Sequence, residues 1–291
     1  MMLGSHLAGC SSMGESGSSP GSPIFNIMEE VMKYRKINSH GHIDLVVGGP
    51  ENQIDFMDRL GIETSVISRP ITSTNSSPEL FRTYNDMVLQ AVKDYPGRFI
   101  GQMTLDATFQ KEALEEIDRR VDQGMVGLKL YRQVKINDPL FYPIIEKFID
   151  LNMVILMHSG PGINRIGPKY DTINPPTLSI PEDFVDAAAR YPEAMFQFAH
   201  TGGGLDWEYA IKALRDSPNV YVDVSGSNNE ENMINFALKY LGEDRLLFGC
   251  DLNYYTGVGH MFSADLTEAQ RKKLFFGNYN NILRKGGYHV A

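Results

Sequence analysis

The sequence predicts a closed (β/α)8 TIM barrel of the α/β class, and three observations carry that prediction. From Lys36 onward, short β-branched or apolar runs alternate with amphipathic stretches, the pattern of βαβ units on a parallel sheet. The alternation occurs eight times, with strand starts roughly 25 to 40 residues apart, the size of a βα repeat. No Gly-x-Gly-x-x-Gly follows the first strand, which disfavours an open dinucleotide-binding sheet.

In chain order, the first strand falls at Ile37–Ile43 and the second at Thr64–Ser68. A helix over Pro78–Tyr95 starts on proline, whose missing amide costs nothing there, and Gly97 follows its end. Strand three, Phe99–Leu105, leads to a helix over Lys111–Gln123 that stops at Gly124. Strand four, Gly127–Tyr131, precedes a helix over Pro139–Leu151, in which Ile144, Ile145, Phe148 and Leu151 form one buried stripe. After strand five, Val154–His158, comes the longest connection, Ser159–Ile180. It contains Gly160-Pro161-Gly162 and Pro175-Pro176 and is a candidate substrate loop. Next come a helix over Pro181–Arg190, strand six at Met195–His200 and a helix over Asp206–Arg215. Strand seven at Val220–Ser225 and a helix over Glu230–Tyr240 lead to strand eight at Leu246–Asp251. Helices over Thr267–Phe275 and Tyr279–Arg284 complete the chain.

Residues 1–25 are Ser/Gly-rich and are read as a flexible leader, leaving 26–291 as a single barrel domain. Leu7-Ala8-Gly9-Cys10 has the form of a lipoprotein cleavage box, but only six residues precede it, short of the apolar stretch of about 7 to 15 that a signal needs. A net charge of -9 argues against nucleic acid as a partner. No run approaches the roughly 20 apolar residues of a membrane span. Two cysteines give neither a disulfide framework nor a zinc ribbon, which places the protein in a reducing compartment, the cytoplasm. Cys250 is expected to face the helices as a small apolar group.

The C-terminal ends of barrel strands line the active-site face. There the sequence puts His40-Gly41-His42 on strand one, Lys129 on strand four, His158 on strand five, His200 on strand six and Asp251 on strand eight. A barrel interior is normally Val, Ile and Leu, so these polar groups cost solvation unless a metal or hydrogen bonds compensate. Side chains alternate along a strand, so His40 and His42 share a face and can reach one ion, with His158 and Asp251 able to complete the set. The bland alternative is a polar inward pair. Arg69 and Arg132 can each bind a carboxylate bidentately or serve as surface ion-pairing groups. Trp207 can line the pocket or pack in the core. Gly202-Gly203-Gly204 lacks the Lys and Ser/Thr of a P-loop and is read as a close backbone approach at the rim. His6, His260 and His289 are expected to be solvated.

Asn38-Ser39-His40-Gly41-His42, Gly127-Leu128-Lys129-Leu130, His158-Ser159-Gly160, His200-Thr201-Gly202-Gly203, Phe248-Gly249-Cys250-Asp251 and Gly277-Asn278 together resemble the amidohydrolase superfamily. More narrowly, the set is similar to the branch that includes aminocarboxymuconate-semialdehyde decarboxylase and related acid decarboxylases and lactonases. The resemblance runs from about Lys36 to Arg284. It implies that His40, His42, His158 and Asp251 ligate one divalent ion, zinc or else manganese, cobalt or iron, with Asp251 also moving protons. His200 would polarise a carbonyl or stabilise an oxyanion. Lys129 is either a carbamylated bridge between two metals, as in binuclear relatives, or a hydrogen-bonding lysine. Tyr131 stands where the branch usually has histidine, so substrate contacts on strand four differ.

The first expectation is a metal-dependent hydrolase of an amide, ester or lactone bond in a small acidic molecule. The alternative is a non-oxidative decarboxylase using the same ion, and a third reading is a barrel that binds a ligand without turnover. The partner is a small-molecule substrate. Enzymes of this kind often form homodimers, although the sequence marks no interface.

Overall fold

The structure is a computed structural model and describes residues 26–45, 48–73, 75–159, 177–201, 207–226 and 232–291. The leader, the Gly202–Gly204 run and nearly all of the long connection after strand five lie outside the described residues. Among the described residues, eight parallel strands alternate with helices: β1 Ile37–His42, β2 Thr64–Ser68, β3 Phe99–Gly101, β4 Gly127–Leu130, β5 Val154–Met157, β6 Met195–Phe198, β7 Val220–Asp223 and β8 Leu246–Leu247. They pair in the order β1-β2-β3 and β4-β5-β6-β7-β8.

Two sets of backbone bonds close these sheets into a barrel. Between β3 and β4, Met103 N donates to Gly127 O at 2.9 Å and Lys129 N to Met103 O at 2.8 Å. Between β8 and β1, Ser39 N donates to Phe248 O at 3.0 Å and Asp251 N to His40 O at 2.7 Å. The fold is therefore a (β/α)8 barrel.

Around it run α1 Ile27–Met32, α2 Gly49–Leu60, α3 Pro78–Asp94, α4 Gln110–Asp122, α5 Tyr142–Asp150, α6 Pro181–Arg190, α7 Trp207–Ala213, α8 Met233–Leu241, α9 Tyr254–Ser263, α10 Glu268–Lys272 and α11 Asn278–Lys285. Three of these depart from the sequence reading. α1 is set by Asn26, whose side chain accepts the Met28 amide. α2 is polar enough to hide its period, yet it starts with proline in its first turn, ends on left-handed Gly61 and buries Gln53, Met57 and Leu60. α9 contains Gly257 and Gly259, which lower helix propensity by about 1 kcal/mol each, and it is held instead by burial of Tyr254, Val258 and Met261. Between α10 and α11, Lys273–Gly277 is a π-turn. Its Leu274 carbonyl accepts the Phe248 amide at 3.3 Å, fastening this segment to the strand-eight backbone.

Every strand but β2, which keeps its expected bounds, is shorter than predicted at its C-terminal end. His200 has φ 67° and Asp251 φ 54°, a left-handed geometry that costs a non-glycine residue of order 1 kcal/mol or more. The chain leaves the ladder there and carries both side chains to the mouth.

Candidate active site

The first strand is irregular between Asn38 and Gly41. The Asn38 side chain repairs the break: its Oδ1 accepts the amides of His40 at 3.1 Å and Cys250 at 2.8 Å, and its Nδ2 donates to Ser65 Oγ at 2.8 Å. Two glycines beside the site leave little room for a side chain. A Cβ on Gly41 would stand 2.6 Å from Ser65 Oγ, and one on Gly249 would stand 3.1 Å from Asp223 Cβ and 3.2 Å from His40 Cβ.

His40, His42 and Asp251 converge, with one donor atom from each lying within 4.8 Å of the others. The Nε2 atoms of His40 and His42 are 3.2 Å apart, and Asp251 Oδ1 is 3.0 Å from His42 Nε2 and 4.0 Å from His40 Nε2. His40 Nδ1 lies 3.0 Å from Asp223 Oδ2, and a ring protonated on Nδ1 presents a lone pair at Nε2. His42 Nδ1 meets Ser68 Oγ at 3.0 Å. Two imidazole edges and a carboxylate facing one point call for positive charge, and neutral imidazole plus carboxylate is the donor chemistry of a divalent ion. Burial pushes His42 down to about 4, against the upward pull of Asp251. Burial alone would raise the Asp251 carboxyl, yet the His42 bond and the surrounding imidazoles hold it well below the usual carboxylate range. The residues thus fit a single cation.

Lys129 forms the floor, fully buried, with Nζ 2.9 Å from His40 Nε2. Burial lowers it to about 8 despite Asp251 and Asp223 nearby. A second set of donors, His40, His200 and Asp223, also converges within 4.8 Å. His158 belongs to neither set and stands with His200, its Nδ1 2.8 Å from His200 Nε2. Burial, with His200 beside it, keeps His158 well below its ordinary value, and burial takes His200 down to about 3. Asp251 Oδ2 lies 3.5 Å from His200 Nδ1. Tyr131 stacks on His158 at 4.0 Å and 16°.

The remaining candidates divide. Arg69 lies over the Tyr84 ring at 4.6 Å, and its Nε is buried without a hydrogen-bond partner among the described residues. Arg132 gives both Nε and Nη2 to Thr72 O, at 3.1 and 2.7 Å, so it ties down the loop after β2. Trp207 is buried and meets Phe236 edge-on at 5.3 Å, which is core packing. Cys250 is buried, and its Sγ faces α9 beside Gly257. His289 is exposed, as expected. His260 corrects the expectation of a solvated loop histidine: it lies in α9, buried, with Nδ1 2.9 Å from Val224 O. Helix packing over the strand ends overrides the loop-like glycine content around it.

Asp223 at the end of β7 is the residue the sequence reading missed. Its signal was an aspartate inside the otherwise apolar run Val220-Tyr221-Val222-Asp223-Val224, one strand from His200. Ser68, Ser225 and Gln197 also reach the site without having been singled out.

A family model described as Amidohydrolase matches residues 37–278. The 2-amino-3-carboxymuconate-6-semialdehyde decarboxylase of Dictyostelium discoideum is 23% identical over 278 residues, covering 81% of this chain and 77% of the relative. Among solved structures, the dihydroxybenzoic acid decarboxylase of Polaromonas sp. JS666, with bound manganese and the inhibitor 2-nitroresorcinol, superposes with TM-score 0.67 at 19% identity. That match covers 86% of this chain and 97% of that one. The 4-oxalomesaconate hydratase of Rhodopseudomonas palustris gives TM-score 0.64 at 18% identity, covering 86% and 96%.

Proposed function

The chain belongs to the amidohydrolase family, and from that premise we propose that it is a non-oxidative decarboxylase of a small aromatic or unsaturated carboxylic acid, working with one divalent ion. The observation that carries this reading is the division of Asp251, whose Oδ1 faces His42 at 3.0 Å while Oδ2 faces His200 at 3.5 Å. One carboxylate thereby borders both the cluster able to hold an ion and an imidazole able to carry a proton.

His40, His42 and Asp251 would hold the ion, with His158 beside them. When bound, the ion, zinc or manganese, supplies positive charge that holds a substrate oxygen and stabilises negative charge as it develops. The His200–Asp251 pair rests deprotonated, so it takes up a proton from solvent water and passes it to the carbon bearing the carboxylate. The bond to the carboxylate carbon then breaks, its electron pair returns to the unsaturated system, carbon dioxide leaves and the proton stays on the substrate carbon. Tyr131 gives the substrate a flat aromatic wall, and the guanidinium of Arg69 is the group for a second substrate oxygen.

Hydrolysis, the first expectation from sequence, uses the same groups. Decarboxylation is favoured because the curated relative and the manganese-bound structure are both decarboxylases. The test incubates the protein with hydroxybenzoates, unsaturated dicarboxylates and lactones, with added zinc or manganese, while recording carbon dioxide, acid release and water addition. Metal-dependent carbon dioxide release is expected. Acid from a lactone, or a hydrated product, with no carbon dioxide from any compound would overturn the proposal.

A further inference from the structure

The Asp223 carboxylate is surrounded by hydrogen-bond partners from β1 and β6 and from the residues that follow β6 and β7. The side chain is fully buried. Oδ2 lies 3.0 Å from His40 Nδ1 and accepts from Gln197 Nε2 at 3.0 Å. Oδ1 accepts from Ser225 Oγ at 2.6 Å, from the Ser225 amide at 3.1 Å and from the His200 amide at 3.3 Å. Ser225 Oγ in turn lies 3.1 Å from His200 Nδ1 and 3.3 Å from His40 Nδ1. Gln197 also reaches Ser39 Oγ at 3.3 Å, tying the arrangement back to β1.

We propose that Asp223 is a positioning residue that serves two groups at once: it fixes the proton of His40 on Nδ1, and through Ser225 and the His200 amide it sets the orientation of His200. The inference rests on the metal reading of the His40–His42–Asp251 cluster. A carboxylate can only accept while ionised, so the His40 proton is pinned to the edge facing Asp223 and the opposite nitrogen is left as a donor to a cation. The same carboxylate holds the backbone of His200 at its left-handed φ of 67°. A buried partner of this kind orients a ligand and raises its basicity, and losing one typically weakens metal affinity by about 10- to 100-fold. The hydroxyl that Ser68 offers His42 is neutral and can donate as well as accept, so it constrains its histidine less.

The experiment strips the protein with chelator, adds zinc or manganese alone, and reads the dissociation constant by competition with a chromophoric chelator. Asp223→Asn is expected to bind the metal about 10- to 100-fold more weakly, whereas Ser68→Ala stays much closer to the unsubstituted protein. A lower melting temperature of Asp223→Asn in chelator with an unchanged metal dissociation constant is the signature of a merely structural role and overturns the proposal. Histidine nitrogen NMR on the stripped, unsubstituted protein needs no variant to fold: His40 protonated on Nδ1 supports the proposal, and protonation on Nε2 overturns it. If the unsubstituted protein takes up no metal, the metal reading itself fails, and the tautomer then decides the positioning of His40 separately.

Discussion

Ile37, Val66, Ile100, Val154 and Leu247 of the strands pack with Tyr279, Ile282 and Leu283 of α11 into an apolar plug. Toward the C-terminal ends of the barrel strands stand His40, His42, Lys129, His158, Asp223 and Asp251, and two of the residues that turn into the mouth, His200 and Asp251, hold left-handed backbone. The plug is stabilised by burial that needs no directional partner. The mouth buries polar groups that are tolerable only when each is bonded or charge-compensated. The plug is thus organised for stability and the mouth stores cost where chemistry is to occur.

Substitutions separate the two regions. The largest effect belongs to the mouth: His40→Ala or Asp251→Asn is expected to abolish both bound metal and carbon dioxide release, read by elemental mass spectrometry and by activity on the same preparations. In the plug, Leu247→Ala should cost about 3 kcal/mol of stability, within the range for a fully buried leucine, and leave metal content and kcat of the folded fraction unchanged. A matching loss of kcat there would erase the distinction between the regions.

His200→Ala should retain metal and slow turnover by about 100-fold, the scale of losing one acid-base or electrostatic group. Loss of metal in this variant would move His200 into the ligand set. Smaller again is Lys36→Met, which sharpens the comparison because Lys36 is a buried charge directly before the plug residue Ile37. Its Nζ donates to Val31 O at 2.6 Å and Tyr34 O at 2.8 Å, and its removal should cost about 2 kcal/mol in urea unfolding, the scale of hydrogen bonds from a charged group. Arg132→Gln is expected to change KM by about twofold or less, as for an exposed polar contact, since its guanidinium is committed to Thr72 O.

How much of this was legible in the sequence follows the same division. The strands of the plug and wall could be read because continuous apolar runs such as Val154-Ile155-Leu156 mark buried parallel strands by composition alone. His40-Gly41-His42 and Asp251 stood out because their residue types are rare inside a barrel. Asp223 did not, because one aspartate in a strand looks like any solvated edge residue until the fold sets it 3.0 Å from His40. The pairing of His158 with His200 is equally a product of neighbouring strands β5 and β6 in register, with Met157 opposite Phe198, and no local pattern encodes it. α9 was hidden for the opposite reason: its glycines argue for a loop, and tertiary packing against α2, through Phe56 on Tyr254 and Tyr255, and against the segments after β7 and β8 makes it a helix.

The most direct test of the central claim is metal content per chain, measured by elemental mass spectrometry on protein purified without chelator or a metal-binding tag. One equivalent of zinc, manganese or a similar ion is the predicted result. Essentially none, in protein that still releases carbon dioxide, would contradict it, and two equivalents would instead make Lys129 a carbamylated bridge.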